Sequence, residues 1–162
     1  MLPRTRGLAG VSFGGPFAAY VWLNDSNTFS RYLIGSPSLW WDKETILKAE
    51  AAAAASGKTL HGRVFLSIGA DEGEHVRRLK NLATALRSHA YPNLQLESHI
   101  FEGENHYSVV QATFSRGLKF LYAKPQPSGN DHPKPWKSSL TPTMQDLVAE
   151  EGGFEPPRPF RA

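Results

Sequence analysis

A chain of 162 residues, 40% hydrophobic and 20% charged, is long enough for one domain with a real core. Its net charge of +3 is mild and its Lys and Arg are scattered, so no basic stripe argues for nucleic acid. It has no cysteine, hence no disulfide framework and no thiolate chemistry, and no apolar run approaches the roughly 18 residues of a membrane span.

Residues 1–6 form a short polar lead without the apolar core of a signal peptide, which sets the expectation of a cytoplasmic location. Residues 7–11 read as a buried strand. They run into Gly10-Val11-Ser12-Phe13-Gly14-Gly15, and a helix follows over 16–23 with proline at a permitted first-turn position. Strand, Gly-x-Ser-x-Gly and helix together are the context of a nucleophile elbow. Gly10 and Gly14 are expected to leave room for a sharp turn and close packing. The turn would hold the Ser12 hydroxyl clear at the strand end, and the amide of Phe13 would face a developing oxyanion. Phe17, Ala18, Tyr20 and Val21 suit a largely buried helix.

A polar loop leads to a second strand over 31–35, which ends in Ser36-Pro37-Ser38-Leu39-Trp40-Trp41-Asp42. Trp40 and Trp41 read either as loop packing or as the wall of an aromatic-tolerant pocket. Residues 42–55, with their alanine run, read as a surface helix that stops at Gly57. A third strand covers 64–68, and the loop after it carries Asp71, Glu72, Glu74 and His75. Over 76–89 the spacing of Val76, Leu79, Leu82, Ala83 and Leu86 predicts an amphipathic helix with its arginines mostly solvated. Residues 94–101 alternate as an edge strand does. A loop holding His106 precedes a last helix over 108–122. From Ala123 prolines crowd a polar stretch, read as a flexible tail over 123–162 with one short helix near 144–150.

Four strand–helix alternations predict a parallel sheet with flanking helices, an α/β fold over 1–122. Loops at the strand C-terminal ends then share one rim. Ser12 sits on the first such loop, the acids on the third and His106 on the fourth, the order in which α/β-hydrolases place their triad. A serine hydroxyl needs a base, an imidazole supplies it near neutral pH, and a carboxylate fixes the imidazole's tautomer. Glu72 is the first candidate for that carboxylate and Asp71 the second. Glu74 reads as a cap of the next helix, and His61, His75, His89, His99 and His132 as ordinary histidines.

These residues resemble the serine esterases related to siderophore (enterobactin-type) esterases, within the α/β-hydrolase fold. The resemblance covers about 6–122. It rests on the elbow, on Ser36-Pro37-Ser38-Leu39-Trp40-Trp41, on Gly69-Ala70-Asp71-Glu72 and on Gly103-Glu104-Asn105-His106. It implies ester hydrolysis through an acyl-serine without cofactor or metal, with Ser12 as nucleophile and His106 as base. Glu72 corresponds to an acidic position that some relatives dispense with. The family has several strands ahead of the elbow, so the chain resembles the C-terminal half of such an enzyme. The loop that supplies a second oxyanion donor belongs to the other half, and one such donor is worth about 100- to 1000-fold in rate.

The expected activity is therefore hydrolysis of small acyl or aryl esters, with Trp40 and Trp41 lining the substrate site. A catalytically silent half-domain and an acyltransferase on the same elbow stand as alternatives. An open edge on the elbow strand is a template for pairing, so self-association through that edge is also expected.

Overall fold

A computed structural model of the chain describes residues 6–25 and 27–124; the expected tail beyond Lys124, with its short helix, lies outside them. Four strands, β1 (Gly7–Val11), β2 (Arg31–Gly35), β3 (His61–Gly69) and β4 (Asn93–Phe101), form one sheet in sequence order, each pair parallel. Parallel neighbours require crossovers. These are α1 (Gly14–Asn24), α2 (Trp41–Ala55) and α3 (Glu74–Ser88), and α4 (Val109–Tyr122) follows β4. The result is the parallel α/β sheet with flanking helices that the alternation predicted.

Side-chain alternation on the central strands makes two cores. Tyr32 and Ile34 of β2 and Val64, Leu66 and Ile68 of β3 point to one face, where α1, α2 and α3 pack. Leu33 and Phe65 point to the other, against Leu121 and Phe120 of α4. With both faces covered, β2 and β3 read as continuous apolar runs. β4 alternates in exposure and lies at one edge of the sheet, as expected. Among the described residues β1 pairs only with β2, so its other edge is open. None of the described helices is long and apolar enough to cross a membrane.

Three expectations need correction. In α1 the buried set is Ala18, Ala19, Trp22 and Leu23, whereas Phe17 and Tyr20 are 61% and 56% exposed. In α2 the alanine run is not a plain surface tract. Its Glu50 is buried, and Glu50 Oε1 meets His89 Nδ1 at 2.7 Å and accepts from the Tyr91 hydroxyl at 3.2 Å. The first turn of α2 is also irregular, with φ of 47°, 54° and 63° at Asp42, Lys43 and Glu44. In α4 the stripe against the sheet is Val109, Thr113, Gly117 and Leu121, while Phe114 and Leu118 are exposed. A Cβ on Gly117 would come within 2.6 Å of Leu33 and 2.9 Å of Phe65, so glycine is what lets α4 lie this close.

α3 buries Leu79, Leu82, Ala83 and Leu86 as its periodicity requires, but begins at Glu74 instead of 76. Glu74 stands in the first turn, where a negative charge suits the helix dipole, and makes an ion pair with Arg77 at 2.8 Å. That guanidinium holds the Glu74 carboxyl below its ordinary range.

Candidate active site

The C-terminal ends of the strands deliver Ser12 after β1, Ser36 after β2, Glu72 in the 3-10 turn Ala70–Glu72 after β3, and His106 between β4 and α4. Ser12 takes a φ of 56°, the left-handed region that a non-glycine residue enters only when its surroundings compel it. Three backbone hydrogen bonds do so. The Ser12 amide donates to the Gly35 carbonyl at 3.1 Å, and the Ser12 carbonyl accepts from Gly15 at 3.0 Å and from Ser38 at 3.1 Å.

Sterics complete the turn. A Cβ on Gly10 would sit 1.9 Å from the Gly14 carbonyl oxygen, and one on Gly15 would sit 2.6 Å from the Pro37 side chain. Gly14 has nothing within 4 Å of such a Cβ and no left-handed φ. The close approach expected at Gly10 and Gly14 therefore falls at Gly10 and Gly15.

The three loops meet. His106 Nε2 lies 3.0 Å from Ser12 Oγ, and His106 Nδ1 lies 2.7 Å from Glu72 Oε2. A carboxylate only accepts, so Nδ1 carries the imidazole proton and Nε2 is left to accept from the serine hydroxyl. Glu72 Oε1 accepts from the Ser36 hydroxyl at 2.6 Å and from the Gly69 amide at 2.8 Å. The Glu72 side chain is 4% exposed and that of His106 37%. A dry carboxylate thus stands behind an imidazole that opens to solvent on the serine side. Asp71, the second candidate, is exposed, and its amide donates to the Glu104 carbonyl.

Ser12 and His106 open into a groove of about 730 Å³ that Phe13, Ser38, Trp40 and Tyr107 also line. Trp40 stacks edge-on to Phe13, with ring centroids 5.8 Å apart. Trp41 does not reach this groove. It lines a separate apolar cavity of about 370 Å³ with Phe17, Tyr20 and Ile46, and Phe13 borders both. The two tryptophans are thus divided between two cavities. Both are about half exposed, so neither serves as core packing.

Sequence reasoning passed over Ser36, which contacts Glu72, and His75, Asn105 and Tyr107, which line the groove. Two signals were available for Ser36: it follows a strand end as Ser12 does, and it opens the Ser36-Pro37-Ser38 stretch on which the resemblance rests. Among the described residues no three His, Asp or Glu side chains are grouped as a metal ion would require.

Comparison with known proteins places the chain in a family. The family model described as "Putative esterase" matches residues 1–121. The ferri-bacillibactin esterase of Bacillus subtilis is 32% identical over 117 residues, 68% of this chain and 40% of that protein. A siderophore enterobactin esterase of Emericella nidulans is 31% identical over 140 residues, 70% of this chain and 46% of that one. The crystal structure of the BES protein from Bacillus cereus superposes with a TM-score of 0.64 at 32% identity, covering 71% of this chain and 44% of the other. The chain spans about half the length of the curated relatives it matches. On these matches, and on a parallel α/β sheet shared with a solved relative, the chain belongs to that esterase family.

Proposed function

We propose that this chain carries the reacting groups of a serine carboxylic ester hydrolase, with Ser12 as nucleophile, His106 as general base and Glu72 as the acid behind it. The observation that carries this reading is the unbroken line from Ser12 Oγ through His106 to Glu72, at 3.0 Å and 2.7 Å. Nε2 takes the hydroxyl proton as Oγ attacks the ester carbonyl, and the imidazolium so formed is steadied by the buried carboxylate. Collapse of the tetrahedral adduct breaks the bond to the alcohol oxygen, which receives the proton from Nε2 and leaves an acyl-serine. Water then repeats the cycle on the acyl-serine, with His106 again as base.

The amide of Phe13 is the oxyanion donor in this reading. The turn's own backbone bonds employ the amides of Ser12, Gly15 and Ser38 and leave Phe13 out. One donor of this kind is worth about 100- to 1000-fold in rate. Trp40 and Phe13 give the groove aromatic walls, which suits small acyl or aryl esters. Trp41, in the neighbouring cavity, would receive a longer apolar group only past Phe13. The names of the relatives extend the proposal to siderophore esters. The edge of β1 that no described strand covers carries a companion proposal, pairing of two copies along it. A mass that does not change with concentration in sedimentation removes it.

The test compares wild type with Ser12→Ala on p-nitrophenyl acetate and butyrate, alongside labelling with a fluorophosphonate. Hydrolysis and labelling that both vanish in the variant are expected. Equal hydrolysis by the two proteins overturns the reading.

A further inference from the structure

Ser36 is nearly absent from solvent, at 2% exposure, and follows the last residue of β2. Its amide donates to the Ser67 carbonyl at 2.7 Å, which ties it to the adjacent strand. Its φ is 36°, and the next residue is Pro37. A side chain with a Cβ resists that region, and a following proline restricts the backbone further. A serine kept in so costly a conformation, with its hydroxyl 2.6 Å from Glu72 Oε1, calls for a reason.

The reason lies in the length of glutamate. A glutamate has one more rotatable bond than an aspartate, so holding its carboxylate behind an imidazole costs more side-chain entropy. Here the two carboxylate oxygens divide their partners. Oε1 takes the Ser36 hydroxyl and the Gly69 amide, and Oε2 is left to His106 Nδ1. With Oε1 gripped from two directions, the terminal torsion is fixed with Oε2 facing the ring. Gly69 supplies its grip from the end of β3, the strand that runs directly into the turn carrying Glu72, three residues away. Ser36 supplies the second grip from just beyond the end of β2, and so references the carboxylate to the neighbouring strand whose Gly35 also holds Ser12.

We infer that Ser36 is a positioning residue that sets the Glu72 carboxylate against His106, an assignment that rests on the proposed roles of Ser12, His106 and Glu72. It touches no reacting atom and acts only through Glu72. The contribution then belongs to the hydroxyl and not to the backbone turn, and it disappears when Glu72 is gone.

The experiment measures the rate of fluorophosphonate labelling of Ser12 in wild type, Ser36→Ala, Ser36→Gly, Glu72→Ala and the Glu72→Ala/Ser36→Ala double variant. Alongside it, proton NMR follows the resonance of the hydrogen-bonded His106 Nδ1 proton. Glycine relieves the left-handed φ while deleting the hydroxyl, so it separates backbone from side chain. Both single Ser36 variants are expected to slow labelling on the order of 10-fold, about what the loss of one hydrogen bond to a charged group costs. On p-nitrophenyl butyrate kcat falls in the same ratio while KM holds. The double variant labels at the rate of Glu72→Ala alone, and the Nδ1 proton resonance, retained in Ser12→Ala, shifts or vanishes in both Ser36 variants.

Wild-type labelling by Ser36→Gly overturns the inference, because the conformation alone would then matter. So does a Ser36→Ala effect of equal size with and without Glu72, since contacts acting through one another do not add. If Ser12 of the wild type does not label, or Glu72→Ala labels as fast as wild type, the proposed function fails instead. The Nδ1 resonance then decides on Ser36 by itself: unchanged in the Ser36 variants, it removes the anchor.

Discussion

The two glycines of the Gly-x-Ser-x-Gly pattern have different physical standing, and alanine at each separates them. A Cβ at position 10 would lie 1.9 Å from the Gly14 carbonyl oxygen and 2.4 Å from its carbon. A carbon–oxygen contact settles at about 3.3 Å or more, so β1 and the start of α1 must part by about 1.4 Å. Both clashing atoms are backbone, and no rotamer change relieves them. Overpacking a tight site costs roughly 1–3 kcal/mol, and Gly10→Ala is expected at or beyond the top of that range. At position 14 there is no neighbour within 4 Å. The residue opens α1, and alanine favours a helix over glycine by up to about 1 kcal/mol, less at an end, so Gly14→Ala is expected to be neutral or slightly stabilising.

Thermal melts read the difference. For a unit of this size 1 kcal/mol moves Tm by about 3–5 °C, which puts Gly10→Ala about 10 °C or more below wild type and Gly14→Ala level with it. Fluorophosphonate labelling of the folded fraction adds a second reading. Gly10→Ala loses it, because parting the strand from the helix undoes the turn at Ser12, and Gly14→Ala keeps it. Equal destabilisation by the two substitutions, or a Gly10→Ala protein that melts with wild type, refutes the steric account of the elbow.

Two further outcomes are expected. Glu72→Gln lowers hydrolysis and labelling by about 100- to 10,000-fold, the span from modest acid–base assistance to a full triad acid, whereas Asp71→Asn stays within about two-fold of wild type. Steady-state rates of the two variants on p-nitrophenyl butyrate check this. In alkali, Tyr32 and Tyr91 couple folding to pH. Burial, then the charge of Asp25, pushes the Tyr32 phenol up to about 12; burial, then Glu50, does the same for Tyr91. Their folded values lie above an unfolded value near 10, so this stability is whole below about pH 10 and is lost as pH climbs toward 12. Urea midpoints across that window should fall for wild type and fall less for Tyr91→Phe.

The sheet was legible because each strand is an apolar or alternating run that ends on a glycine or within three residues of one, and the order of alternation left a parallel arrangement as the natural one. That Ser12, Glu72 and His106 would share a rim followed from their places after strand ends. Burial within the helices was less legible. Phe17, Tyr20, Phe114 and Leu118 look like core residues, yet the buried faces are Ala18, Ala19, Trp22 and Leu23 in α1 and Val109, Thr113, Gly117 and Leu121 in α4, a choice between apolar positions that composition alone does not make. Glu50 sits within an alanine run and has no local mark of burial; its partners His89 and Tyr91 come some forty residues later. Ser36 could be marked as part of a motif but not given a role, because its contact with Glu72 spans 36 positions.

The carbonyl of Ser12 is held by the amides of Gly15 and Ser38, and its amide by the carbonyl of Gly35. The hexapeptide from Gly10 to Gly15 is therefore only part of a module whose other part lies two dozen residues downstream. Grafted alone into another strand–helix junction, it would arrive without two of the three clasps that keep its serine in the left-handed conformation. An engineer who wishes to transplant this elbow must move the end of β2 and the Ser36-Pro37-Ser38 corner with it.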